Sequence, residues 1–153
     1  MAKITITTMC AVVNRKNEVL FIDRRKSWKG LALPGGHIED NESVLECVQR
    51  EIYEETGLRI TNPIFKGITH FFNKDINERY LVFNFISYDF YGNLKESCSE
   101  GTLHWIPLNQ FDKFSYAEGM ELRFDVFFDE GITEMFVDWN KESGYIKVDK
   151  KKM

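Results

Sequence analysis

Cysteine is scarce and unpatterned in this chain. Its three copies, Cys10, Cys47 and Cys98, form no CxxC pair, and with His37, His70 and His104 they show no zinc-site spacing. A structural zinc centre is thereby excluded, and the cysteines read as reduced thiols of a cytoplasmic protein. Positive charge is also short. Lys and Arg number 20 against 24 Asp and Glu, a formal net charge of -4, without the basic footprint that nonspecific binding to a nucleic-acid polymer needs. No apolar run reaches membrane-spanning length, so no membrane partner is expected. The opening MAKITITTMCAVV lacks the charged, apolar, small-residue succession of a signal peptide. Internal repeats, low-complexity tracts and linkers are absent, and residues 1–153 read as one domain.

Hydrophobic residues make up 43% of the chain and include thirteen Phe, enough to fill a core. Ile4 to Val13 and Glu18 to Asp23 are β-rich runs around the polar Asn14-Arg15-Lys16-Asn17, which predicts a hairpin. Pro34-Gly35-Gly36 predicts a tight turn and permits close backbone approach, with a short strand at His37 to Glu39 after it. Pro63 to Phe72 and Glu78 to Tyr91 read as a long hairpin, and Leu103 to Ile106 as a strand closed by Pro107. Over Ala117 to Phe128 the spacing of Leu122, Val126 and Phe127 predicts a helix laid on the sheet. A closing hairpin is expected from Thr133 to Trp139 and Tyr145 to Val148, and Asp149 to Met153 as a solvated tail.

The anomaly lies between Gly36 and Leu58, GHIEDNESVLECVQREIYEETGL. Ser43 with Glu46 makes a capping box and Gly57 a C-terminal stop, so Ser43 to Thr56 is predicted helical. At about 100° per residue, Val44, Leu45, Val48 and Ile52 share one apolar sector. Glu55 falls inside it, Glu51 at its edge and Glu54 on the next row. Carboxylates placed there repel one another by about 0.2–0.5 kcal/mol per i,i+4 pair. A divalent cation among them removes that cost, and hard Mg²⁺ or Mn²⁺ suits oxygen ligands shared with substrate phosphates.

The same stretch satisfies G-x5-E-x7-R-E-U-x-E-E-x-G-U, with U a bulky aliphatic, at every fixed position: Gly36, Glu42, Arg50, Glu51, Ile52, Glu54, Glu55, Gly57 and Leu58. This resembles the box of the Nudix hydrolases. The resemblance implies an α/β/α sandwich, a mixed β-sheet flanked by the box helix and a C-terminal helix. It also implies a Mg²⁺-dependent hydrolase of a nucleoside diphosphate linked to another group. By the family pattern Glu51, Glu54 and Glu55 match the metal-binding glutamates, the Gly36 carbonyl completes the shell, and Arg50, partnered by Glu42, orients the acids. Glu100, five residues before Trp105, resembles the E-x4-W arrangement of MutT-type members and extends the metal set, with Glu96 as the alternative. Which glutamate serves as general base stays open between the box and the downstream loop.

MutT-type members act on nucleoside triphosphates, including oxidised purine ones such as 8-oxo-dGTP, and release pyrophosphate. The chain departs from the base-reading pattern of many of them at Leu31 and Ala32. Substrate-binding candidates are Trp28, which either covers a base or plugs its loop; Tyr116 and Glu118, ahead of the second helix; and Arg24, with Arg25, on the phosphate side. His37 reads as a strand-edge residue. Phe71, Phe72, Tyr80, Phe83 and Phe85 read as core, with at most one touching substrate. The competing readings are a Nudix hydrolase of a nucleotide sugar or dinucleoside polyphosphate, and a nucleotide-binding regulator without turnover. Either a monomer or a homodimer fits.

Overall fold

The structure, a computed structural model, describes residues 1–152. In chain order the elements are β1 (Lys3–Val12), β2 (Glu18–Arg24), β3 (Gly30–Ala32), β4 (Gly35–His37), α1 (Val44–Thr56), β5 (Leu58–Thr61) and β6 (Ile64–Asn73). There follow β7 (Glu78–Ser87), β8 (Asp89–Gly92), β9 (Ser97–Cys98), β10 (Gly101–Pro107), a 3-10 turn (Leu108–Lys113), α2 (Met120–Phe128), β11 (Glu134–Asn140) and β12 (Gly144–Lys151). A six-stranded mixed sheet runs β12-β11-β6-β7-β1-β4, and an antiparallel four-stranded sheet runs β3-β2-β10-β9.

Strand alternation builds the layers. Cys10 and Val12 of β1 and Leu20 and Ile22 of β2 point to one side, where they meet Val48 and Ile52 of α1. Their neighbours Ala11, Val13, Val19 and Phe21 point to the other, against Met120 and Phe127 of α2. The result is the expected mixed α/β sandwich with a helix on each face.

The first two strands do not form the expected hairpin. They share one bridge, Val13 to Val19, and then part into different sheets, β1 pairing with β4 and in parallel with β7, and β2 with β3 and β10. Both strands bury both faces, so each needs partners on its own flanks and a two-stranded ribbon cannot supply them. The hairpin of β6 and β7 forms as expected, but Asp89–Gly92 leaves it to pair with β5. Gly35 and Gly36 are extended strand residues opposite Met9 and Thr8, not a tight turn. In both helices the predicted apolar face is shifted: Leu45 and Leu122 are exposed, while Cys47 and Met120 are buried. The expected tail is ordered through Lys151 on β11, with Lys150 Nζ 2.6 Å from Asp125, and Met153 lies outside the described residues. No helix among the described residues is long and apolar enough to cross a membrane.

Candidate active site

Helix α1 starts as its sequence dictates. The Ser43 hydroxyl accepts from the Glu46 amide, the Glu46 carboxylate accepts from the Ser43 amide, and Gly57 closes the far end at φ 81°. Those caps set the rotation that turns Glu55 inward, to 8% exposure, with Glu51 partly buried and Glu54 exposed. Strand β4 comes close against this face. A Cβ on Gly36 would overlap the Glu51 carboxylate, and one on Gly35 would overlap the Thr8 carbonyl. Clearance, rather than a turn, is therefore what these glycines provide. Glu55 accepts a hydrogen bond from the Gly35 amide at 2.9 Å.

Arg50 lies at the centre of the acids. Its Nε and Nη2 donate to the two oxygens of Glu42, its Nη1 donates to Glu51 at 3.0 Å and to Glu54 at 3.1 Å, and Nη2 also reaches the His37 carbonyl at 3.0 Å. The chain before Ser43 does fold back to bring Glu42 there. Crowding of the acids is thus relieved partly by one guanidinium, whose fork suits several carboxylates at once. Hydrogen bonds from Arg50 hold the Glu42 carboxyl down at about 2. The Arg50 guanidinium is held more firmly protonated in return.

The inner acids behave differently. Burial, then the charges of Glu100 and Glu51, push the Glu55 carboxyl up to about 8, against the opposing pull of the Gly35 amide and Arg24. Burial also raises Glu51. Glu100 is the downstream acid whose charge reaches both, whereas Glu96 is exposed. Arg24 Nη1 pairs with Glu100 Oε2 at 3.1 Å, and that oxygen is otherwise shut off from solvent. A divalent cation fits this donor set: desolvated carboxylates and a glycine cleared of side chain. Among the described residues no three acidic, imidazole or thiol groups enclose an ion unaided. A cation here would also need backbone carbonyl, water or substrate oxygens, as Mg²⁺ commonly takes.

Beside the acids opens a cavity of about 450 Å³, with Gly35, Gly36 and Arg24 on its near wall and Trp28, Phe71, Tyr80, Glu118, Arg123 and Trp139 around the rest. Trp28, at φ 50° and 46% exposed, faces Trp139 with ring centroids 5.9 Å apart. Expected candidates Trp28, Glu118 and Arg24 thus reach the cavity, and His37 is an exposed edge residue beside Tyr80. Tyr116 does not. Its ring packs against Phe21, Phe111 and Phe124, and its hydroxyl donates to the Phe111 carbonyl at 2.6 Å, because the 3-10 turn turns it into the core. Phe71 and Tyr80 line the cavity, while Phe72, Phe83 and Phe85 do not. Arg123 and Trp139 were not foreseen; they come from α2 and β11, with no local motif to mark them. Arg123 shares a side-chain hydrogen bond with Tyr145, and its Nε and Nη2, like Trp139 Nε1, are shut off from solvent.

This fold is that of the Nudix hydrolases, a family that acts on pyrophosphate bonds, and the chain belongs to it: residues 3–124 match the NUDIX domain. An uncharacterized Nudix hydrolase, YvcI, from Bacillus subtilis is 34% identical over 112 residues, 71% of this chain and 70% of that protein. An ADP-ribose pyrophosphatase from Methanocaldococcus jannaschii is 32% identical over 107 residues, 69% of this chain and 63% of its own length. The crystal structure of a MutT protein from Bacillus halodurans superimposes with a TM-score of 0.83 at 26% identity, covering 96% of this chain and 97% of that one.

Proposed function

We propose that the protein hydrolyses a nucleoside triphosphate to the monophosphate and pyrophosphate, using Mg²⁺ or Mn²⁺. The carrying observation is that Gly35 and Gly36 form one shared wall, touching Glu55 and Glu51 on one side and lining the aromatic cavity on the other. A nucleotide laid across that wall puts its base in the cavity and its phosphates over the acids. Glu51, Glu54, Glu55 and Glu100 with the Gly36 carbonyl would hold the cation, with water or substrate oxygens completing its shell. Once bound, a cation of this kind neutralises phosphate charge and lowers the pKa of the attacking water.

The chain's own groups do the rest. Arg50, gripped by Glu42, fixes the carboxylates of Glu51 and Glu54. Arg24 meets the phosphates, Trp28 covers the base, and Glu118 accepts from a donor on it. A carboxylate oxygen of this edge takes the proton from the attacking water, and pH profiles of kcat for glutamine variants at Glu51, Glu54, Glu55 and Glu100 assign which. A second reading, a nucleoside diphosphate sugar as substrate, is favoured by the ADP-ribose pyrophosphatase relative. The intact acid set argues against a regulator without turnover. We place the protein in the cytoplasm.

The test is a panel of nucleoside triphosphates, 8-oxo-dGTP, ADP-ribose and dinucleoside polyphosphates assayed with Mg²⁺ for phosphate or pyrophosphate release. Pyrophosphate from a triphosphate is expected, with Glu55→Gln folded and slower by about 10³-fold. Turnover that survives chelation, or that Glu55→Gln leaves intact, sinks the mechanism. Faster cleavage of ADP-ribose than of any triphosphate moves the assignment to the second reading.

A further inference from the structure

Besides Gly35 and Gly36, Arg24 is a second link between the acid edge and the aromatic cavity. It is the last residue of β2, paired with Gly101 of β10 on one flank and Gly30 of β3 on the other. One step further along, the Arg25 amide donates to the Glu100 carbonyl at 2.9 Å. The Arg24 side chain then reaches both neighbours. Its Nη1 pairs with Glu100 Oε2 at 3.1 Å, while Nε donates to the Ser27 carbonyl at 2.9 Å and Nη2 to the Ser27 hydroxyl at 3.3 Å. Every nitrogen of the guanidinium is engaged, on one side with the downstream acid and on the other with the loop that leads to Trp28.

Both ends need such an anchor. Trp28 has φ 50°, a left-handed backbone that a bulky residue does not hold unaided, and its ring stands 5.9 Å from that of Trp139. The wall it gives the cavity therefore depends on where the chain is held at Ser27, which lines the same cavity. Glu100 sits in the turn between β9 and β10. Arg24 fixes the oxygen that is shut off from solvent, which leaves Oε1 for a cation.

We propose that Arg24 is a positioning residue that couples the two sites: by holding Glu100 and Ser27 at once, it makes cation binding at the acid edge and base binding behind Trp28 favour each other. Fixing either end restricts the shared guanidinium. The second ligand then meets an end that is already ordered, and the coupling runs equally in both directions. A phosphate bridging cation and nucleotide would also couple them, so the probe must carry no phosphate.

This inference rests on the reading of Glu100 as a cation ligand and of the cavity as a base site, and its test avoids turnover altogether. Adenosine and guanosine are titrated by tryptophan fluorescence with and without Mg²⁺, and Mn²⁺ by the electron paramagnetic resonance of the free ion with and without nucleoside. In wild type the cation should tighten at least one nucleoside about fivefold, and that nucleoside should tighten the cation by the same factor. Arg24→Lys keeps a charge beside Glu100 but cannot reach both Ser27 oxygens as well. Its Mn²⁺ affinity without nucleoside should stay within about twofold of wild type while the coupling falls below about twofold. Ser27→Ala, which loses one of the two loop bonds, should lower the coupling by less and leave Mn²⁺ affinity alone.

No coupling in wild type, coupling that survives Arg24→Lys, or a joint fall of Tm, Mn²⁺ affinity and nucleoside affinity in that variant overturns the proposal, as does failure of both nucleosides to bind. Triphosphate turnover in a protein without the coupling overturns this proposal alone. Coupling without turnover of any triphosphate leaves it standing and overturns the hydrolysis instead.

Discussion

The acid edge and the aromatic cavity meet at Gly35 and Gly36, yet they are built in opposite ways. At the edge, Arg50 engages Glu42, Glu51, Glu54 and the His37 carbonyl, and the participants span one strand, the loop after it and one helix. In the cavity, the walls come from the Arg24–Trp28 segment, β6, β7, α2 and β11, and aromatic side chains supply much of them. The edge is organised before any ligand arrives, as chemistry on phosphorus requires of groups that must not reorganise. The cavity is mostly apolar wall, so it selects by shape and stacking rather than by a fixed array of charges.

That division predicts which variants alter turnover and which alter affinity. The largest effect is expected from Gly36→Ala, whose new Cβ displaces the Glu51 carboxylate. kcat should drop by about 10²-fold, whereas nucleotide binding measured by fluorescence without metal should hold; joint loss of both would join the two regions into one unit. Arg50→Lys comes next. A point charge cannot reproduce the fork to Glu42 together with the contacts to Glu51 and Glu54, so kcat and apparent Mg²⁺ affinity should fall about 10–100-fold. Unchanged metal affinity would deny Arg50 its organising part.

On the cavity side, Trp28→Ala removes one stacking surface and should raise KM roughly tenfold with kcat within about threefold; a loss confined to kcat would contradict the separation. The smallest effect belongs to Leu45→Ala. This side chain is 47% exposed, and chemical denaturation should register less than about 0.5 kcal/mol. A larger value would mean that the helix face expected from sequence is buried against a partner.

Much of the edge was legible in the linear chain. The capping box at Ser43, the stop at Gly57 and the 100° step per residue were enough to place Glu55 on the inner face, because all three are local to one helix. Leu45 was misplaced for a related reason: a helical wheel does not say how wide a stripe the neighbouring strands will cover, and the covered stripe runs through Cys47 instead. The β1–β2 hairpin failed since a polar turn cluster reports that the chain reverses, not that the two strands stay paired. Tyr116 looked like a base reader from its place beside Glu118, and the 3-10 turn sent it into the core, an outcome that its side-chain chemistry equally allowed.

Local spacing in the sequence by itself determined the helix carrying the acids, and the resemblance of that stretch to the Nudix box implied the family, the Arg50–Glu42 partnership and the sandwich class. Only the tertiary structure decided how the glycines serve, which downstream acid reaches the edge and what forms the cavity. Those features depend on strands brought together over long separations. Close approach of Gly36 to Glu51, and the contact of Arg123 on α2 with Tyr145 on β12, exist only once the sheets have packed.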